Sequence, residues 1–316
     1  MTPPTFVALA EEYLALRRSL GFDLVSQGRS LLGFASYADR IDYRGPLTVD
    51  LALRWASSDS HDPSAAARRL SIIRGFARHR VAFDPATEIP PTGLLGRAIR
   101  RKPPHIYSDA EIAALIRAAT ELRPHGGLRP HSYATLFALL ASTGLRISEA
   151  RRLSCKDVDL AGGVLTVRAG KFRKSRLVPL HPSALEPLRR YAVCRDLCCG
   201  APRSESFFRT EYAASLTRMP VQRAFLEIRH RLGWTAEGRA RLPRIHDLRH
   251  TFAVRRLLRW SEEGIDVDRK IAALATYLGH AKVTDTYWYL TAVPELMALT
   301  ARRFERFARR EQESAS

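Results

Sequence analysis

Along the first part of the chain the apolar positions fall at helical spacing. Phe6, Leu9, Ala10, Tyr13 and Leu14 recur three and four residues apart, the signature of one buried helix face, and Gly21 follows as a stop. Residues 31–37, 49–56 and 65–76 repeat the pattern, with Asp50 and Pro63 near two of the starts, so the chain up to about residue 95 predicts a bundle of four or five short helices. The periodicity then stops. Ile89-Pro90-Pro91-Thr92-Gly93 and Arg100-Arg101-Lys102-Pro103-Pro104 hold the residues that break helices. Residues 101–107 therefore read as a basic, proline-containing linker, either lying along a phosphate backbone or simply solvated.

A second region, 108–316, opens on Ser108-Asp109-Ala110-Glu111, the spacing at which a serine and a glutamate satisfy each other's free backbone N–H groups at a helix start. Helical spacing continues to about residue 122, then over 131–142, ending at Gly144. The period next changes to that of strands. Gly162-Gly163 introduces Val164-Leu165-Thr166-Val167, and Arg176-Leu177-Val178-Pro179-Leu180 answers it, so the residues between them form a hairpin tip. Helical spacing returns over 183–197, 221–232, 248–260, 267–278 and 294–309, with Pro294 suited to the first turn of the last helix. The expected fold is mainly α with a small β-hairpin or sheet (α+β): a helical domain over 1–100 and a larger one over 108–316.

Charge narrows the function. The chain carries 51 Lys+Arg against 32 Asp+Glu, a formal net of +19, and its 46% hydrophobic residues suffice for real cores, so the excess is not that of a disordered basic tail. A polyanion is the expected partner. The cations are dispersed instead of clustered beside an apolar segment, and no apolar run approaches the roughly 18 residues of a membrane span, which favours nucleic acid over a membrane. Cys155, Cys194, Cys198 and Cys199 form no CxxC pair, and the first dozen residues lack the basic start of a secretory leader. A cytoplasmic, nucleoid-associated protein with reduced thiols is expected.

Four segments of the second region place a cation or a proton-transfer group beside a turn residue. They are Thr143-Gly144-Leu145-Arg146-Ile147-Ser148-Glu149, Gly170-Lys171-Phe172-Arg173-Lys174, His246-Asp247-Leu248-Arg249-His250, and Leu278-Gly279-His280 followed by Tyr287-Trp288-Tyr289. Each alone reads as readily as surface: Glu149 could pair with Arg146, and a basic hairpin tip is usually solvated. His246 and His250, four apart, could face one metal, yet no further Cys, His or carboxylate pattern completes a set. No phosphate-binding glycine loop of the GxxxxGK[ST] kind occurs either, so neither a metal nor a nucleotide cofactor is expected.

In order and spacing the series resembles the tyrosine recombinase (phage integrase-like) family over nearly the whole chain. The resemblance implies a core-binding domain, then a catalytic domain in which Arg146 and Arg249 bind the scissile phosphate, Lys171 is the general acid, His246 assists proton transfer, His280 contacts the phosphate and Tyr289, nine residues beyond His280, is the nucleophile. The residue types suit phosphoryl transfer. Forked guanidinium groups meet the charge that spreads over non-bridging oxygens, and a phenol of pKa about 10 needs a base or cations nearby. Lys174 is the alternative acid in the same tip, and Tyr287 the alternative nucleophile. Residues two apart on a helix face nearly opposite ways, so only one tyrosine aims at the phosphate.

The resemblance further implies double-stranded DNA as partner, clamped between the two domains, with a tetramer on two DNA sites, accessory recombinases as further partners, and no cofactor. Arg100, Arg101, Lys102, Arg173 and Lys174 are the candidate phosphate contacts outside the reaction. The run Thr286-Tyr287-Trp288-Tyr289-Leu290 with Pro294-Glu295-Leu296-Met297 looks like recombinases of transposons and other mobile elements. On the last helix Leu296, Met297, Thr300, Ala301, Phe304 and Phe307 make an apolar stripe that would dock on a neighbouring protomer or on its own domain. A type IB topoisomerase-like enzyme and an inactive DNA-binding accessory protein are the alternatives, and the N-terminal bundle favours the recombinase.

Overall fold

In the computed structural model the chain divides into two compact units, residues 1–101 and 102–316. The residues described are 4–58, 63–96, 103–168, 175–199, 204–235, 242–280 and 282–292. Arg100, Arg101, Lys102, Lys171, Arg173, Lys174 and the stripe from Leu296 to Phe307 lie outside them.

The first unit holds α1 (Phe6–Ser19), α2 (Val25–Arg40), α3 (Val49–Ser57) and α4 (Pro63–Arg80). Polar side chains fix the starts. The Thr5 hydroxyl accepts from the Ala8 N–H and that of Thr48 from the Leu51 N–H, while Asp39 of α2 takes the N–H groups of Phe6 and Val7 at 2.8 and 3.0 Å. The apolar faces then meet around Phe6, Leu14, Leu31, Phe34, Leu51, Trp55, Leu70 and Phe76. Phe34 sits edge-on to both Phe6 and Trp55, with ring centroids 6.0 and 5.6 Å apart. α2 starts six residues before the apolar spacing does, because Val25-Ser26-Gln27-Gly28-Arg29 is polar and glycine-bearing and its cap, Leu24, has no capping side chain and a left-handed φ of 43°.

The second unit begins with α5 (Asp109–Thr120), where Ser108 and Glu111 make both halves of the capping box. α6 (Leu128–Thr143) is buried on most of its surface, including Tyr133, Leu136, Phe137, Leu139 and Leu140, and is the core around which the unit is built. α7 (Ile147–Arg152) follows at once. β1 (Val158–Asp159), β2 (Val164–Val167) and β3 (Arg176–Pro179) form an antiparallel sheet in that order, with Leu165 opposite Val178 and Val167 opposite Arg176. The hairpin is as expected from the sequence. β1, only two residues long, is too short to show a period. α8 (Pro182–Cys199), α9 (Arg218–Arg231), α10 (Ile245–Glu262), α11 (Val267–Leu278) and α12 (Thr284–Ala292) complete the described elements. The fold is thus mainly α with one small antiparallel sheet. No helix among the described residues is long and apolar enough to cross a membrane.

Candidate active site

Two helices that end on left-handed glycines supply the frame. α6 stops at Gly144 (φ 63°) and α11 at Gly279 (φ 68°), and both caps are crowded: a Cβ at Gly144 would lie 2.6 Å from the Phe252 ring, and one at Gly279 2.8 Å from an Arg176 guanidinium nitrogen. A helix end leaves its last carbonyls without partners and carries partial negative charge, so it attracts cations. Three arginines answer that demand. Arg249, on α10 and only 2% exposed, donates to the Gly144 carbonyl at 2.8 Å and the Leu278 carbonyl at 2.7 Å. Arg146, the N-cap of α7, donates to the Gly279 carbonyl at 2.8 Å and to Leu278 at 3.4 Å. Arg176, opening β3, donates through Nε to the Tyr277 carbonyl at 2.6 Å.

Glu149 ties two of these cations together. Its carboxylate accepts from the Arg146 backbone N–H at 2.9 Å, from the Arg146 guanidinium at 2.8 Å, and from both Nη atoms of Arg176 at 3.1 and 2.9 Å. Burial by itself would raise its pKa, but the hydrogen bonds from Arg176 and Arg146 and their charges prevail and hold it at about 2. Burial and then the charge of Arg146 lower Arg249 to about 10, which still leaves it cationic at neutral pH.

The start of α10 fixes the histidines. Asp247, fully buried, accepts from the Arg244 backbone and guanidinium, while the Thr251 hydroxyl donates to the Asp247 carbonyl and accepts from the Tyr107 N–H at 2.9 Å. His246 stands at this end with an accessible ring, 4.8 Å from His250. Burial and then the Arg249 charge lower its pKa to about 4. His250 is lowered to about 3 by burial and by His246, and its Nδ1 is buried without a hydrogen-bond partner among the described residues.

α12 presents the tyrosines. Thr286, fully buried, bonds the Nδ1 of His280 at 2.7 Å, and Tyr289, one turn on, is 2% exposed. The Tyr289 ring stacks on His280 at 6.2 Å and meets His250 edge-on at 5.4 Å. Burial raises its pKa, opposed by the charge of Arg249 and a hydrogen bond with it. Tyr287 is 41% exposed. The structure therefore gathers Arg146, His246, Arg249, His280 and Tyr289 into one cluster, on α7, the start of α10, the end of α11 and α12. Arg176 and His250 also border this cluster, and the sequence pattern assigns neither a part in the reaction. A pairing with a carboxylate 27 residues away leaves no local pattern, and His250 differs from a surface helix residue only by its neighbour Arg249. Among the described residues no group of three His, Cys, Asp or Glu side chains could hold a metal ion.

Residues 108–295, more than half of the chain, match the sequence profile of the phage integrase family. The chain belongs to that family. Among tyrosine recombinases and integrases, it is 42% identical over 307 residues to y4rB of Sinorhizobium fredii, a protein carrying an integrase/recombinase name, with 96% of this chain and 98% of the relative covered. It is 32% identical over 244 residues to the tyrosine recombinase XerD of Pseudomonas aeruginosa, covering 75% of this chain and 74% of XerD. The fold is also that of the Tn1549 transposon integrase bound to transposon right end DNA, with a TM-score of 0.68 at 16% identity over 96% of this chain and 100% of that one. The XerH recombinase bound to difH DNA gives 0.64 at 17% identity, over 94% and 84%.

Proposed function

We propose that this phage integrase family member is a site-specific DNA recombinase that cuts and rejoins strands through a 3′-phosphotyrosyl intermediate, in the integration or transposition of a mobile element. The observation that carries the reading is the shared Leu278 carbonyl. It holds Arg146 and Arg249 side by side, with Tyr289 against Arg249 and His280. Each guanidinium has five N–H groups and spends only some on the protein, so a phosphate can be met by two planar forks. Their positions are set before substrate arrives, which is the arrangement that stabilises developing charge most effectively.

In the proposed cycle the Tyr289 oxygen attacks the scissile phosphorus and its proton passes toward His246. Arg146, Arg249 and His280 bind the non-bridging oxygens. Lys171, with Lys174 as the other candidate in the tip, protonates the departing 5′-oxygen. The bond broken is replaced by another phosphodiester, so the free 5′-hydroxyl of a partner strand can reverse the chemistry at the new junction without a nucleotide cofactor. Four protomers on two double-stranded DNA sites would complete an exchange. Arg100, Arg101, Lys102, Arg173 and Lys174 serve as phosphate contacts, and a net charge of +19 supports a DNA substrate. The similarity to y4rB supports an integrase role.

Nicked duplexes tiled across the DNA that flanks the coding sequence test the reading, since a nick next to the cut lets the short product leave and traps the covalent complex. Wild type should form a denaturation-resistant adduct and Tyr289→Phe none, while Tyr287→Phe keeps it. Tight DNA binding with no adduct from wild type refutes strand cleavage and leaves a DNA-binding accessory protein.

A further inference from the structure

Arg176 is fastened more thoroughly than an anchor for one strand end requires. Its side chain is 11% exposed, its Nε donates to the Tyr277 carbonyl at 2.6 Å, and its two Nη atoms grip Glu149 at 3.1 and 2.9 Å. Glu149 is 4% exposed and takes four N–H bonds, two from Arg146 and two from Arg176, which fills the acceptor sites of a carboxylate. A buried carboxylate facing a single guanidinium would neutralise it. Here one negative charge is shared between two cations, with Arg249 a third cation on the same helix end. The cluster Arg146, Arg176, Arg249 and Glu149 keeps a net of two positive charges, and Arg176 supplies one of them by offsetting the Glu149 carboxylate.

Geometry couples the pair as well. Gly279 admits both guanidinium groups, since a Cβ there would stand 2.8 Å from Arg176 and 3.4 Å from Arg146. Arg146 is thereby wedged between the Gly279 carbonyl and a Glu149 whose orientation Arg176 sets.

We propose that Arg176 is a positioning residue: it compensates the Glu149 charge and orients that carboxylate, so that the Arg146 guanidinium is not offset by Glu149 and stays aimed at the scissile phosphate. This rests on the strand-cleavage reading above. Arg176 itself touches no reacting atom.

The test compares wild type, Arg176→Met, Arg176→Lys and the double variant Arg176→Met with Glu149→Gln. Adduct formation is followed on the tiled nicked duplexes at saturating protein, with DNA affinity measured in parallel. Arg176→Met should cleave about 100-fold more slowly, the loss that follows removal of one preorganised charge-stabilising group, while affinity changes by less than about threefold. Arg176→Lys should recover part of the rate, because it restores the charge without the fork. The double variant should be at least about tenfold faster than Arg176→Met, because the uncompensated carboxylate is gone while the amide oxygen that replaces it can still accept from the Arg146 N–H. A purely structural role predicts the opposite, a second loss added to the first. An unchanged rate in Arg176→Met, or a double variant no faster than it, overturns the proposal. If Arg176→Met does not fold, Arg176→Lys with and without Glu149→Gln decides the same question by the same rescue. Absence of any adduct from wild type overturns strand cleavage instead, so the two failures are distinguishable.

Discussion

In the first unit arginines lean on aromatic rings: Arg17 lies 4.2 Å from the Phe22 centroid, Arg69 5.2 Å from Trp55, and Arg40 and Arg80 each 5.8 Å from Tyr37 and Phe83. In the second unit Arg146, Arg176 and Arg249 are fastened to the backbone at two helix ends and to one buried carboxylate. The residue type is the same and the physics differs. A guanidinium over a ring near water gains about 0.5–1 kcal/mol and keeps much of its freedom. That suits contacts with phosphates whose positions vary. A guanidinium locked by carbonyls has lost its freedom at folding, so no reorganisation remains to be done when charge develops beside it. The first unit and residues beyond it in the chain thus share the basic excess unequally in kind: a net of +5 lies before residue 103 and +14 after, but only a few of the latter cations are built into the cluster.

The largest effect expected of this contrast is at Arg249. Replacing it with Lys should slow adduct formation by about 10²–10³-fold, as loss of one preorganised donor does. It should also lower stability, because the buried Gly144 and Leu278 carbonyls each lose a donor at a cost of roughly 1–3 kcal/mol. Both effects are read from quenched cleavage time courses and thermal melts. A variant that cleaves normally would remove the basis for distinguishing the two kinds of arginine.

A matched pair of glycines tests the frame next. Gly21 (φ 87°) and Gly279 (φ 68°) both need a left-handed backbone, so alanine at either should cost about 1–2 kcal/mol. Nothing lies within 4 Å of a Cβ at Gly21, whereas at Gly279 it strikes Arg176 at 2.8 Å. Gly21→Ala should therefore lower the melting temperature and leave cleavage of bound DNA intact. Gly279→Ala should lower both, and equal cleavage in the two variants would show that the α11 cap does not aim the arginines.

Much of this architecture was legible in the sequence, and what was not has physical reasons. α11 runs over Val267–Leu278, as the apolar spacing predicts, and Ser108 and Glu111 make the capping box that their spacing announces. These are local interactions, written within a few residues. The start of α2 and the strand β1 left too short or too polar a pattern. For the candidate site, motif spacing picked out residues that the structure brings together, but not what fixes them. Burial of Arg249 at 2% exposure depends on carbonyls 105 and 29 residues away, and the Arg176–Glu149 bridge spans 27. A side chain as polar as arginine carries no sign in its own neighbourhood that distant helix ends will satisfy it.

The histidines beside the arginine cluster add a pH dependence to the stability of the second unit. His246 and His250 are held near 4 and 3, below the ordinary 6.5, so between about 6.5 and those values the unfolded chain binds more protons than the folded one. Stability must then fall as the pH is lowered through that window, and rise again on return to neutrality. Scanning calorimetry of the full chain should show the transition of the second unit moving to lower temperature between pH 7 and 5. His250→Gln should flatten that slope, since the more enclosed of the two rings is removed. A slope unchanged by the substitution would mean that His250 does not carry it.

The smallest effect is expected where the first unit's arginines are concerned. Arg17→Gln removes a half-buried cation that rests on Phe22 and whose Nε is enclosed without a hydrogen-bond partner among the described residues, so folding should change little. If such residues serve as phosphate contacts, DNA affinity should fall a few-fold and the slope of log affinity against log salt should become shallower by about one unit. The fraction of bound complexes that go on to the adduct, and the rate at which they do so, should stay as in wild type. A ring-borne cation should then affect how much DNA is held, and a helix-end cation what happens to it. A bound but slowly cleaved complex in Arg17→Gln would show that the first unit also shapes the reacting phosphate, and the division between the two kinds of arginine would have to be given up.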